Sequence, residues 1–139
     1  MKAHATFTVT DWTPATPAEA VGDQALVQTP ATPGFSYMNK WFEGDLEGRS
    51  TTFFVGCLNA DGAGSYAAIE AVEGTLSGRQ GSFNLVHAAS THGSDRYDEH
   101  LRIVPGSGGG DLEGISGHGT ITIDADGTHH LELEYELDA

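Results

Sequence analysis

The chain has 139 residues, 38% of them hydrophobic, with 19 Gly and only 5 Pro, the composition of one folded, turn-rich domain with a single core. Its 20 acidic residues against 6 Lys and Arg give a formal charge of -14, which excludes nucleic acid, whose binding rests on cationic side chains, and disfavours anionic membrane surfaces. Cys57 is the only cysteine, so no intrachain disulfide forms.

Period-2 alternation dominates from the start. Ala3 to Thr10 sets Ala, Phe and Val against His and Thr, and predicts the first strand. This N-terminal stretch has no signal-peptide h-region, and no run is long enough to span a bilayer, so the expected compartment is the cytoplasm. Thr13 to Gly34 holds every Pro but Pro105 and predicts a long loop with a short helical turn near Pro17-Ala18-Glu19-Ala20. Strand-like runs follow at Tyr37 to Leu46, Thr51 to Leu58, Tyr66 to Leu76 and Ser82 to Ala88. Ser90 to Asp98 is a second polar loop. The last runs are His100 to Pro105, His118 to Asp124 and His130 to Leu137. Eight short strands with no spare edge predict an all-β, single-domain, eight-stranded antiparallel β-barrel, with a two-sheet sandwich as the competitor.

A repeated phrase proposes the strand register. Gly44-Asp45-Leu46-Glu47-Gly48-Arg49 is echoed by Gly74-Thr75-Leu76-Ser77-Gly78-Arg79, and more loosely by Gly110-Asp111-Leu112-Glu113-Gly114. With Gly48-Arg49 and Gly78-Arg79 as two-residue turns, Lys40 faces Cys57, Phe42 faces Val55 and Gly44 faces Phe53. In the second hairpin Glu70 then faces His87, Val72 faces Leu85 and Gly74 faces Phe83. The Gly–Phe pairs leave room for a ring across the ladder. Tyr37, Asn39, Trp41, Ile69 and Glu73 fall on the exterior. For the last hairpin, a loop with Gly127 in the left-handed conformation sets Ile121 against Leu131 and Ile123 against His129, and turns Leu133 and Tyr135 to the core.

That register gathers Lys40, Cys57, Glu70 and His87 at one level of an otherwise apolar interior, with Tyr66 beyond Glu70. Ionisable groups there are costly unless paired or wetted, so this level is the candidate site. His87 is the candidate acid or base, Glu70 its orienting carboxylate, and Lys40 or Tyr66 the group that polarises an oxygen. Phe42, Phe53, Val55, Cys57, Val72, Phe83, Leu85 and Tyr135 are the candidate ligand-lining residues, together with Tyr66. The competing reading is a structural network: a Glu70–His87 pair fixing strand register, a Lys40–Glu70 salt bridge, and Cys57 as a small hydrophobe. No Cys or His spacing suits zinc. Asp124-Ala-Asp-Gly127 lacks the later ligands of a calcium loop, and Gly106-Ser-Gly-Gly-Gly110 lacks the Lys-Ser/Thr end of a phosphate loop.

Phe42-Glu-Gly-Asp-Leu-Glu-Gly48, Tyr66-Ala-Ala-Ile-Glu70, Gly74-Thr-Leu-Ser-Gly-Arg-Gln-Gly-Ser-Phe83 with His87, and Pro105-Gly-Ser-Gly with Leu112-Glu-Gly-Ile-Ser-Gly117 together resemble a bacterial family catalogued as domain of unknown function 3224. The resemblance runs from Phe7 and Trp12 to Tyr135. It departs at Gly109, where the family more often has Thr. It implies a barrel like that of allene oxide cyclase, related to calycins, a wider fold whose members bind small apolar molecules and in some cases isomerise or cyclise them without a cofactor. The family itself has no assigned activity. The expectation is therefore a barrel that takes up a small apolar molecule and rearranges it by cofactor-free acid/base chemistry. The alternatives are a non-catalytic carrier or sensor, and a structural barrel acting through a protein partner, with Trp41 or Ile69 as contacts of a homodimer.

Overall fold

The computed structural model describes residues 1–16 and 18–138. Its strands are β1 (Lys2–Ala15), β2 (Ala20–Val21), β3 (Gln24–Ala25), β4 (Gly34–Gly44), β5 (Leu46–Leu58), β6 (Gly64–Leu76), β7 (Arg79–Thr91), β8 (Tyr97–Ile103), β9 (Gly109–Gly110), β10 (Ser116–Ile123) and β11 (His129–Glu136). The eight long strands run antiparallel in the order β6-β5-β4-β1-β11-β10-β8-β7, and β7 pairs back to β6, so the sheet closes into an eight-stranded barrel. Closure removes both exposed edges. Among the described residues, no helix is long and apolar enough to cross a membrane.

Alternation decides what each strand buries. Ala3, Ala5 and Phe7 of β1, Phe42 of β4, Val72 and Leu76 of β6, Phe83 and Leu85 of β7, and Leu131, Leu133 and Tyr135 of β11 share one core. The last hairpin has the expected register, Ile121 opposite Leu131 and Ile123 opposite His129. Gly127 sits at φ 88 in its turn.

The two repeats turn differently from the expectation. In the second, Ser77 and Gly78 are the central residues, both at positive φ (46 and 87), the requirement of a type I′ turn. Leu76 thus pairs with Arg79, Val72 with Phe83, and Ala68 with His87. The two-residue slip leaves every side chain on its expected face. In the first, the chain reverses at Gly44-Asp45, so Phe42 pairs with Gly48 and Lys40 with Ser50. This slip is odd and inverts β5. Gly48 is no turn residue: it faces Gly74 across the β5–β6 ladder, where a Cβ would stand 2.1 Å from the Glu73 carbonyl oxygen. These glycines serve backbone approach, and the expected Gly44–Phe53 and Gly74–Phe83 pairs do not form.

The two barrel ends differ. At one, the tight β4–β5 and β6–β7 turns meet the segment that carries β9, which pairs with Gly81 and Ser82 of β7 and seals the end with fully buried Leu112 and Ile115. At the other end lie the Asn59–Gly64 turn, the loop from His92 to Arg96 and the start of the Pro-rich segment. That segment holds the β2–β3 hairpin. The expected helical turn is not present at Ala18–Ala20, and Pro17 lies outside the described residues.

Candidate functional site

Strand parity brings Lys40, Ser50, Glu70 and His87 together inside the barrel, all at most 5% exposed. Lys40 Nζ donates to Glu70 Oε2 at 3.1 Å. The His87 Nε2–H donates to the same oxygen at 3.1 Å, and Ser50 Oγ donates to Glu70 Oε1 at 2.5 Å. Lys40 Nζ also lies 4.7 Å from the centroid of the Phe7 ring, a cation–π contact. Burial alone would raise the Glu70 pKa, but the bond from His87, the Lys40 ammonium and the bond from Ser50 outweigh it and bring it from 4.5 to about 2. Glu70 is therefore an anion, and Lys40 balances its charge.

The network continues toward the open end. With Nε2–H directed at Glu70, His87 Nδ1 accepts from the Tyr66 hydroxyl at 3.1 Å. Arg96 Nη2 donates to the Tyr66 oxygen at 2.5 Å, and Arg96 Nε donates to Glu99 at 2.6 Å. Burial raises the Tyr66 pKa above its usual 10, a shift the bond from Arg96 only partly offsets. A line of hydrogen bonds thus runs from the sealed interior to the barrel mouth: Lys40 and Ser50 to Glu70, Glu70 to His87, His87 to Tyr66, Tyr66 to Arg96.

Tyr66 and Arg96 line a cleft of about 220 Å³ with Phe54, Gly56, Leu58, Ala89, Thr91, Asp95 and Ile123. Phe54 stacks on Tyr66 with centroids 5.0 Å apart and planes 14° apart. Trp12 packs edge-on against the far side of Phe54, at 5.2 Å. Leu58 and Ile123, both more than half exposed, mark where the cleft opens to solvent.

The expected site residues are therefore partly assembled. Lys40, Glu70 and His87 meet, but Lys40 faces Ser50, not Cys57, and His87 reaches Glu70 diagonally from a position opposite Ala68. These three lie behind Tyr66 and do not line the cleft. Phe42, Val72, Phe83, Leu85 and Tyr135 pack into the core, so Tyr66 is the one expected ligand-lining residue on the cleft wall. The inversion of β5 turns Phe53, Val55 and Cys57 outward. Phe53 is 49% exposed; it and Val55 line an exterior groove with Phe35, Tyr37 and Ile69. Cys57 Sγ donates to the Ser65 carbonyl. In their place β5 sends Ser50, Thr52 and Phe54 inward. Thr52 is fully buried opposite Glu70, and its hydroxyl is the one buried side-chain polar atom among the described residues without a hydrogen-bond partner.

Arg96 and Glu99 were not legible as site residues, because Arg96 lies in a loop where alternation carries no information. Ser50 and Thr52 were legible in principle, as alternate members of the run from Leu46 to Phe54. Among the described residues, no three His, Cys, Asp or Glu side chains are placed to hold a metal ion.

The arrangement has the logic of a carboxylate–imidazole–hydroxyl triad. Glu70 fixes the imidazole tautomer, His87 accepts the hydrogen bond of the Tyr66 hydroxyl, and the phenol oxygen is the member that faces the cleft. Arg96 donates to that oxygen.

The family model described as "Protein of unknown function (DUF3224)" matches residues 3–135. The chain is also similar to the crystal structure of a protein of unknown function from the DUF3224 family of Shewanella oneidensis MR-1. That likeness has 35% sequence identity and a TM-score of 0.81, and covers 100% of this chain and 98% of the other. No curated protein matches the chain.

Proposed function

The chain belongs to the DUF3224 family, whose description assigns no activity, and from the geometry at the barrel mouth we propose that it binds a small, largely apolar molecule there and rearranges it by cofactor-free proton transfer, as an isomerase or cyclase does. The observation that carries this reading is the hydrogen-bonded line Glu70–His87–Tyr66 ending in an apolar cleft. A buried relay that only held strands in register would have no need to reach the mouth.

In this reading Tyr66 is the catalytic residue, and His87 and Glu70 act through it. The high pKa of Tyr66 keeps the phenol protonated at rest. As Tyr66 takes a proton from the bound molecule, its own proton moves to His87 Nδ1, and the imidazolium formed rests on the Glu70 carboxylate. Returning the proton to a different atom of the same molecule completes an isomerisation and restores the relay. The negative charge is left on the bound molecule, and Arg96 supplies preorganised positive charge beside it during the step.

The test is exchange with solvent. Ligand retained through purification is identified by mass spectrometry, and its uptake of deuterium in D2O is measured on wild-type protein, Tyr66→Phe and His87→Gln. Wild type is expected to exchange at least 100-fold faster than either variant. Equal rates in all three, with ligand still bound, overturn the catalytic reading.

A second reading is a non-catalytic carrier. It is favoured by the completeness of the inner cluster, in which Lys40, Ser50 and His87 already satisfy both oxygens of Glu70. Retention of ligand without exchange in wild type selects it.

A further inference from the structure

The charges at the mouth define what the cleft accepts. Among the described residues Arg96 is the only cation on its wall, and Glu99 neutralises it at 2.6 Å. Asp95 stands on the same wall. The ring and backbone N–H of His92 hold its carboxylate ionised, with a pKa lowered to about 2. Inside, Lys40 and Glu70 cancel. The wall is therefore net negative in a chain of formal charge -14, and a carboxylate ligand on Arg96 would stand beside Glu99 and Asp95 against that field.

Shape and hydrogen-bonding sense narrow the class further. About 220 Å³ is below the roughly 300–1,000 Å³ of sites for drug-sized ligands, so the occupant has about one ring. The Phe54 and Tyr66 rings stack on one another, with Trp12 on the far side of Phe54 and the Arg96 guanidinium over Tyr66, so the cleft meets the rings at their edges, which suit the face or the oxygen of a ligand. The Tyr66 proton is committed to His87. The donors left over are one proton of the Ser65–Ser90 hydroxyl pair and those of the Arg96 guanidinium, which uses Nη2 on Tyr66 and Nε on Glu99. Arginine only donates, so the ligand oxygen must accept.

Resting on the proton-transfer reading above, we propose that the ligand class is a neutral, single-ring carbonyl compound, held by Arg96 through its oxygen and by the apolar wall of Phe54, Leu58, Ala89 and Ile123. The carbon beside the carbonyl is then the one whose proton Tyr66 takes, and the enolate oxygen that forms stays on Arg96.

Acetophenone and benzoate have nearly the same size and shape and differ in charge, so their binding to the wild-type protein by calorimetry decides the question without a variant. Acetophenone is expected to bind at least tenfold more tightly than benzoate, and Phe54→Ala and Arg96→Lys are each expected to weaken it about tenfold. Benzoate binding equally or more tightly, or no saturable binding of either, overturns the ligand class. Deuterium uptake into the methyl group of bound acetophenone separates the two ideas. Binding with no uptake above that of Tyr66→Phe removes the catalytic reading and leaves the ligand class standing.

Discussion

Ser50 Oγ sits 2.5 Å from Glu70 Oε1, so the carboxylate oxygen that Lys40 and His87 do not reach is satisfied as well. Both oxygens of Glu70 are thus engaged, by three donors, while the group is 1% exposed. A buried carboxylate left unpaired would rise in pKa; this one falls.

The consequence for pH has a definite sign. Glu70 has a folded pKa of about 2 against 4.5 for the free group. A depressed folded pKa contributes stability that is present above 4.5 and is lost as pH falls toward 2. The shift corresponds to about 3 kcal/mol at 1.36 kcal/mol per unit. Acidification also relieves repulsion among the 20 acidic residues, which works the other way. The measurement is therefore a difference: urea unfolding of wild type and Glu70→Gln from pH 6 to pH 3. Wild type should lose about 2 kcal/mol of its advantage over Glu70→Gln across that range. A constant difference would mean Glu70 is not held ionised.

Lys40 tests the same pair from the other side. Lys40→Met leaves the Glu70 anion buried with only His87 and Ser50, and breaking a buried pair costs about 3–5 kcal/mol. Lys40→Met combined with Glu70→Gln buries no net charge and should be less destabilised than the sum of the two single changes. A double-mutant cycle in guanidinium reads the coupling directly. Additive costs would mean that the 3.1 Å contact contributes little.

The eight long strands, the barrel they form and the last hairpin were legible because alternation and turn chemistry agree along them. The faces of β6 and β7 were legible as well, since a two-residue slip conserves parity. The face of β5 was not. Its outward residues Phe53 and Val55 are the apolar ones, and its inward Ser50 and Thr52 are polar because they stand beside Glu70. Hydrophobic alternation points the wrong way wherever a strand lines a polar interior and presents an apolar exterior. The meeting of Lys40, Glu70 and His87 survived that error because all three lie on strands whose parity was right. The link outward to Arg96 was out of reach, since it rests on a loop conformation.

The inverted face of β5 makes a pair of opposite forecasts. Phe53 is 49% exposed and touches Tyr37 edge-on at 5.6 Å, so Phe53→Ser should cost about 1 kcal/mol or less. Ser50→Leu removes a donor from a buried carboxylate and adds volume to a full interior. It should cost about 2–4 kcal/mol. Comparable costs at the two positions would put the assigned faces in error.

The turn at Ser77-Gly78 offers a stabilising change. Ser77 holds φ 46 without being glycine, a conformation Asn adopts more readily, and Asn-Gly is the preferred pair of a type I′ turn. The backbone N–H of Ser77 donates to the Asp45 carbonyl at 2.7 Å, a bond that any residue except Pro retains. The side chain is exposed, so Ser77→Asn disturbs no packing. Ser77→Asn should therefore raise the urea midpoint by an amount equivalent to about 0.5 kcal/mol, with an unchanged slope. Gly78→Ala, at φ 87, should lower it by about 1 kcal/mol or more, because the added Cβ strains a left-handed residue. The space around Gly78 is open, with nothing within 4 Å of a Cβ, so backbone strain alone sets that cost. At Gly48, by contrast, the Glu73 carbonyl stands in the way, and Gly48→Ala should cost several-fold more than Gly78→Ala.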